Sequence, residues 1–365
     1  MLEIAERPLL TFGLSGYNHA RFIENAILGA LSQTYTPLEI ILSDDHSSDE
    51  TFQIMRRMAA AYRGPHRIIL NRNESNRGIG GNINRIFELA HGKLIIMAAG
   101  DDVSLPTRAQ INYEGWEASR RQATFVRSSF SVIDGTGRPA ENTGWEFSWS
   151  NEGTFTEERP SVYEFFSPNK PWYVGCAAAW SPRLMEVFGP LPDRLVHGDE
   201  VLALRATCLG YHVRIAKPLV KYRLHEHNAF GSSREPGSSA HEIAREEARH
   251  QAELRTRYGM YGAFIADLEQ AIDKSLISQQ AFEHAMAVCL REHGLLEAKM
   301  DFYSGPFLRK CCLLVELKKA GLPPADLRGM ALRLLPGRSF ALFKSWRNGL
   351  RTRMGRGVPK LTVPS

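Results

Sequence analysis

Cysteine is scarce and unpatterned. The 365 residues hold five of them (Cys176, Cys208, Cys289, Cys311 and Cys312), an odd number without CxxC spacing. That argues against a disulfide framework or a zinc cluster and for a reducing compartment. Long apolar runs are missing too: no stretch approaches the roughly 20 residues that a membrane-spanning helix needs. Glu3 and Glu6 precede the first strand-like segment, so the N-terminus does not read as a secretory signal. A glycine- and lysine-rich phosphate loop, which a nucleotidyltransferase would want near its first strand, is absent; Gly13-Leu14-Ser15-Gly16 is a poor substitute. No internal repeat stands out. From Leu327 to Ser365 acidic residues are lacking altogether while nine Lys or Arg are present, so the net charge of +5 belongs to this tail and the preceding residues are slightly acidic.

What is present is an ordinary soluble composition, 43% hydrophobic and 23% charged, long enough for a large domain and a smaller one. Strand-like and helix-like segments alternate over the first hundred residues. Pro8–Leu14, Leu38–Ser43 and Arg67–Asn71 read as strands. Helical spacing recurs between Ala20 and Gln33 and again from Phe52, with Ser47 and Glu50 resembling a capping box. A further helix ends near Ala90. Such alternation with short links is the pattern of βαβ units on a parallel sheet. Later, Ala123–Ile133, Gly175–Trp180 and Val213–Leu224 read as extended, and a helix starts around His197. Gly231–Ser239 has linker composition, and helix alone follows. The expected division is therefore 1–230, a linker 231–239, helices 240–326 and a basic tail 327–365.

The segment from Lys93 to Asp102 is an apolar strand that stops at Gly100-Asp101-Asp102. Ligands of open α/β sheets sit beyond the carboxyl ends of the strands. Paired carboxylates there read either as a solvated turn capping the next helix or as a divalent metal site, whose hard oxygens suit Mg²⁺ or Mn²⁺. Leu38–Ser43 also ends in paired carboxylates, Asp44 and Asp45.

Taken together the motifs decide more. In order they are Ser15-Gly16-Tyr17-Asn18, Ser43-Asp44-Asp45 with Ser47 to Thr51, Asn76-Arg77-Gly78 to Asn82, Gly100-Asp101-Asp102, Asp199 six residues before Arg205, and Tyr222-Arg223-Leu224-His225 with Asn228. In this series the chain resembles the family-2 inverting glycosyltransferases of GT-A fold, over roughly residues 8–230. The resemblance implies an α/β fold with a mostly parallel sheet flanked by helices, followed by an α-helical C-terminal region. It implies that Asp45 hydrogen-bonds the base of a nucleoside diphosphate. A carboxylate only accepts, which suits the imide N–H of uracil and favours a UDP-sugar. Ser15, Tyr17, Arg77 and Asp101 are then expected to line the nucleotide pocket. Asp102, with Asp101 and His225, is expected to hold Mn²⁺ or Mg²⁺, and Asp199 to act as the catalytic base. Two departures from the family pattern stand out: Gly100 where many relatives carry another Asp, and Gly198 where many carry Glu.

Trp172 and Tyr173 are candidates to stack on an acceptor sugar, with core packing as the other reading. The expected acceptor is a hydroxyl of a glycan or lipid-linked saccharide. Phe340, Phe343, Trp346, Leu350 and Met354 fall roughly on one helical face of the tail among basic residues, a pattern suited to an anionic membrane surface. The alternatives are docking on the catalytic domain or a disordered end. Nucleic acid is not expected, since no module accompanies the charge. The expectation is thus a cytoplasmic enzyme, peripheral to the inner face of the plasma membrane; the competing function is a non-catalytic sugar-nucleotide-binding or scaffold protein on the same fold.

Overall fold

The computed structural model describes residues 7–140, 155–167, 173–226, 228, 240–319, 321–332 and 334. Trp172, the 231–239 segment and the tail beyond 334 lie outside them. The chain divides into two compact units, Met1–Gly231 with Ala266–Ala285, and Ser232–Ile265 with Met286–Ser365.

The first unit is a layered α/β domain. Its opening half runs β1 (Leu10–Gly16), α1 (Ile23–Leu31), β2 (Leu38–Asp44), α2 (Thr51–Ala61), β3 (Arg67–Arg72), α3 (Gly78–Leu89) and β4 (Ile95–Ala99). There follow β5 (Val103–Ser104), α4 (Arg108–Ala118), β6 (Phe125–Ile133), β7 (Phe155–Glu158) and α5 (Val162–Phe165). A 3₁₀ turn (Gly175–Ala177) leads into β8 (Ala178–Trp180), then α6 (Arg183–Phe188), α7 (Gly198–Leu209) and β9 (His212–Arg223). The strands join one sheet in the order β3-β2-β1-β4-β8-β6-β9-β5, with β7 also on β9. Pairing is parallel from β3 through β4 and again between β6 and β9; β8, β5 and β7 pair antiparallel.

The parallel half is where the apolar runs predicted strands, because strands covered by helices on both faces are hydrophobic throughout. Every residue of β2 is buried, including Glu39, whose carboxylate accepts from Thr11 Oγ1 at 2.7 Å and from the His91 amide. The spacing that predicted α1 buries Ile23, Ala26, Ile27 and Ala30. Two local expectations shift. The capping box at Ser47 and Glu50 does not form; α2 starts at Thr51, whose amide donates to Asp49 Oδ1 at 2.9 Å, and Ser47 Oγ instead accepts from Asn18 N at 2.9 Å. The Gly175–Trp180 strand is half turn, half strand.

Two helices cross the division between the units, α8 (Ala240–Asp273) and α9 (Gln279–Ser304); α10 (Phe307–Lys319) and α11 (Pro324–Leu332) follow in the second. The end of α8 is pinned within the first unit by an ion pair. Asp267 accepts from Arg205 of α7 at 2.7 and 3.0 Å in a two-pronged pair, and Arg205 also donates to Gly189 O at 2.6 Å. Both side chains are buried, and burial pushes the Asp267 carboxyl above its usual range in spite of Arg205. In the second unit Leu313 and Leu317 of α10 pack with Phe302, Leu322 and Met330.

Removing one member of such a pair strands the other charge in the core. Asp267→Ala is expected to lower unfolding stability by about 3–5 kcal/mol in a urea titration, and a wild-type midpoint in that variant would refute the structural role.

Candidate active site

Two centres form at the carboxyl edge of the parallel strands. The first is built from the ends of β1, β2 and β3. Asp45 follows β2 and is 3% exposed. Its Oδ1 accepts from Asn73 Nδ2 at 2.8 Å and Arg77 N at 2.9 Å, and its Oδ2 from Gly78 N at 2.8 Å. It therefore caps α3 from across the sheet, where first-turn amides would otherwise lack partners. Gly78 adopts φ +76°, and a Cβ there would lie 2.7 Å from Arg194 Cα, so only glycine serves at this turn.

Around Asp45 runs a buried amide network. Asn82 donates to Ser15 Oγ at 2.7 Å and accepts from Ser43 Oγ at 2.6 Å and Asn73 Nδ2 at 3.2 Å. Of the residues expected in the nucleotide pocket, Ser15 and Asp45 are thus joined through Asn82 and Asn73. Tyr17 is 45% exposed beside them in sequence. The Arg77 side chain turns to Asp193 at 3.2 Å, while its amide serves Asp45. His46 binds the Asn73 carbonyl at 3.0 Å. Asn82 closes the Asn76–Asn82 motif, whereas Asn73 carried no signal beyond its place in a polar, glycine-rich stretch.

The second centre lies at the end of β4. Asp101 Oδ2 sits 3.1 Å from His225 Nε2 and 3.9 Å from His19 Nε2. Burial alone would raise Asp101, but the His225 hydrogen bond and nearby His19 hold it below the usual carboxylate range. Asp102 is more enclosed. Its Oδ1 accepts from Arg223 N at 2.8 Å, while Oδ2 is buried without a conventional hydrogen bond. Burial and the Asp101 charge push Asp102 up to about 8. The Cys176 thiol beside it is raised well above its usual range by burial and by Asp102. Arg108, fully buried, donates to Met97 O at 2.7 Å and Ser104 Oγ at 2.9 Å, and burial lowers it to about 10. His19 and Cys176 were not expected at this centre. His19 follows the Ser15–Asn18 motif directly, a usable signal; Cys176 had none.

Among the described residues no three His, Cys, Asp or Glu side chains form a ready-made metal cage. A Mg²⁺-type site is commonly one or two carboxylates completed by substrate phosphates and water. An Asp102 oxygen buried without a conventional hydrogen bond next to Asp101 fits that requirement, because the Asp102 carboxyl stays raised in spite of nearby Arg108.

Asp199 opens α7. Its Oδ1 accepts from Glu200 N at 3.0 Å and its Oδ2 from Gly175 N at 3.2 Å. Burial, then the Glu200 charge, push it up to about 6. The turn Gly175–Ala177 thus reaches Asp199 through Gly175 and the second centre through Cys176, which lies against Asp102. Tyr222 on β9 reports the same convergence: burial raises its phenol, and Cys176, Asp102, Asp101 and Asp199 all add to the shift. Tyr173 is placed differently from an acceptor platform. It is 6% exposed, stacked on Phe165 at 5.6 Å and tilted against Phe125 at 5.8 Å, so its faces belong to the core.

Residues 14–169 match Glycosyl transferase family 2. The chain is 37% identical over 103 residues to the "Putative glycosyltransferase EpsE" of Bacillus subtilis (strain 168), covering 28% of this chain and 36% of that protein. It is 32% identical over 100 residues to the Escherichia coli "UDP-Glc:alpha-D-GlcNAc-diphosphoundecaprenol beta-1,3-glucosyltransferase WfaP", covering 27% and 38%. These matches span about a third of the relatives' length. The structure of S. aureus TarS 1-349 in complex with UDP-GlcNAc aligns over 95% of this chain and 92% of that one, with a TM-score of 0.54 and 13% identity, a likeness of fold.

The electrostatics of Asp102 have a consequence for stability. Its folded carboxyl titrates near 8, whereas an unfolded Asp titrates at about 3.9. Between those values the folded chain holds a proton that the unfolded chain has released, so the Asp102 contribution weakens as pH rises through this window. Asp102→Asn is expected to be more stable than wild type by about 1 kcal/mol or more near the upper end of that window. The check is chemical denaturation across pH without added metal; equal stability of the two proteins at both ends would refute it.

Proposed function

We propose, from the match of residues 14–169 to Glycosyl transferase family 2 and the likeness of fold to TarS, that the chain is a GT-A glycosyltransferase that transfers a sugar, with inversion, from a nucleoside-diphosphate sugar to a hydroxyl of a glycan or lipid-linked saccharide in cell-surface polysaccharide synthesis. The observation that supports this reading is the Gly175–Ala177 turn, whose first amide donates to Asp199 Oδ2 at 3.2 Å while the next residue, Cys176, lies against Asp102. On this reading Asp101 and Asp102 would serve the donor phosphates and Asp199 the acceptor hydroxyl.

In this reading Asp45 accepts the base's imide N–H. Three donors already hold its two oxygens, which leaves room for one more, since a carboxylate offers about four lone-pair sites. An acceptor-only group suits the imide N–H of uracil, and the UDP-Glc named for the E. coli relative supports that choice. Ser15 and Tyr17 line the nucleoside side, and Arg77 leaves Asp193 to meet the donor. Asp101 and Asp102 are the residues to hold Mn²⁺ or Mg²⁺, which when bound neutralises charge on the departing diphosphate. His225 orients Asp101.

Asp199 takes the proton of the acceptor hydroxyl. The freed oxygen pair forms a bond to the anomeric carbon from the face opposite the donor phosphate. The carbon–phosphate-oxygen bond breaks with its electrons on the leaving diphosphate. A base raised to about 6 is ionised at neutral pH yet close enough to it to accept a proton efficiently. The diphosphoundecaprenol-linked acceptor named for the E. coli relative supports a lipid-linked saccharide here. Residues 1–230 serve as the catalytic domain, and the basic 327–365 tail holds the enzyme at the inner face of the plasma membrane, near such an acceptor.

Asp199→Asn is expected to lower kcat by roughly 10²- to 10⁴-fold with donor binding kept. Unchanged turnover would remove Asp199 from the mechanism and favour a binding or scaffold role. In wild type, kcat/KM should rise with pH through about 6 as Asp199 loses its proton; a profile flat across that range would contradict this. Donor identity is tested by thermal shift with UDP- and GDP-linked ligands, with and without Mn²⁺. Saturation at a hundred times the dissociation constant should add about 2.7 kcal/mol, and Asp102→Ala should abolish the metal-dependent part. No shift with any nucleotide would overturn the reading.

A further inference from the structure

Helix α10 (Phe307–Lys319) carries apolar residues on its outer face as well as its inner one, unlike an ordinary surface helix. Its inner face is apolar as expected, with Leu313 and Leu317 buried. At 3.6 residues per turn, Phe307, Leu308, Cys311, Cys312 and Val315 fall on the side opposite those leucines. Phe307, Leu308 and Val315 are 59%, 77% and 56% exposed, and Cys312 is exposed as well. A helix in contact with water carries polar residues on this side. A contiguous exposed apolar stripe marks an interaction surface.

Charge identifies the occupant. Lys318 and Lys319 fall at the C-terminal end of the stripe, within its sector. The acidic side chain of the helix, Glu316, faces Arg309 at 3.5 Å on the polar edge, and Arg309 also lies 3.7 Å from Asp301. The stripe itself is therefore apolar and cationic. The chain's own tail is a poor cover, because residues 327–365 carry nine cations and no anions and repel lysines. A surface that presents hydrocarbon beneath negative charge complements both features. We propose that α10 docks on an anionic lipid bilayer, with Phe307, Leu308 and Val315 at the acyl boundary and Lys318 and Lys319 at the headgroup phosphates. This extends the membrane part of the functional reading to a different helix and does not depend on the transfer reaction.

The test uses the full chain with vesicles of phosphatidylcholine alone and of phosphatidylcholine mixed with phosphatidylglycerol. Wild type is expected to sediment with the mixed vesicles and to be released by salt. The Leu308→Asp/Val315→Asp variant should lose roughly tenfold or more of this partition, and Lys318→Glu/Lys319→Glu should lose it chiefly at low salt. Circular dichroism and the nucleotide thermal shift of both variants should match wild type, so failure of docking is read separately from failure of donor binding. Unchanged partition of the first variant, or equal partition on neutral vesicles, overturns the proposal. So does a wild-type dimer in light scattering that the same variant dissolves, which would assign the stripe to a second copy. Should either variant misfold, an environment-sensitive fluorophore on Cys312 decides: a blue shift with anionic vesicles supports docking, and an unmoved spectrum overturns it.

Discussion

The site depends on one carboxylate reaching across the sheet to the start of a helix. Asp45 gathers the Asn73 amide and the Arg77 and Gly78 backbone N–H groups. Those hydrogen bonds fix where α3 begins. Hydrogen bonds to a charged acceptor in a buried setting are among the stronger ones a protein makes. From α3 the constraint passes on. Asn84 exchanges two hydrogen bonds with the Leu191 backbone, both at 2.8 Å, and Gly80 N donates to Leu195 O at 2.9 Å. The segment so held leads directly into α7 and Asp199. The side expected to read the nucleotide and the side expected to remove the proton are thus set by one chain of hydrogen bonds. A Cβ on Gly80 would lie 2.6 Å from the Pro192 carbonyl, so this approach also needs a bare backbone.

The second determinant is a pair of buried carboxyls at the end of β4. Asp101 has imidazole partners, whereas Asp102 is enclosed with an orphaned oxygen and a carboxyl raised to about 8. A fold optimised for stability alone would put a neutral group there. Buried groups with strongly shifted titration cluster at functional sites for this reason. Asp199, raised to about 6, completes a set in which each acid has a different environment. The turn Gly175–Ala177 links them with three residues, its first amide on Asp199 and its thiol beside Asp102.

The second unit follows different physics. Its helices bury their own small core through Phe302, Leu313, Leu317, Leu322 and Met330. Yet α10 leaves an apolar stripe outside.

The sequence by itself determined the strands β1 to β4 and their carboxyl-end motifs, because a parallel strand covered on both faces leaves an uninterrupted apolar run that stops where the ligand edge begins. Asp45, Asp101 and Asp102 stood out for the same reason, each just past such a run, whereas Asp199 was singled out only by the family resemblance. Tertiary structure alone decided what each carboxylate does with its lone pairs. It brought His19 and Cys176 to the β4 end, moved Tyr173 into the core against Phe125 and Phe165, and joined Arg205 to Asp267 across 62 residues. It also revealed that the outer face of α10 is apolar. Periodicity reports which face of an element is hydrophobic; which neighbour covers that face, and what burial does to a charge, follow from contacts between residues far apart in the chain.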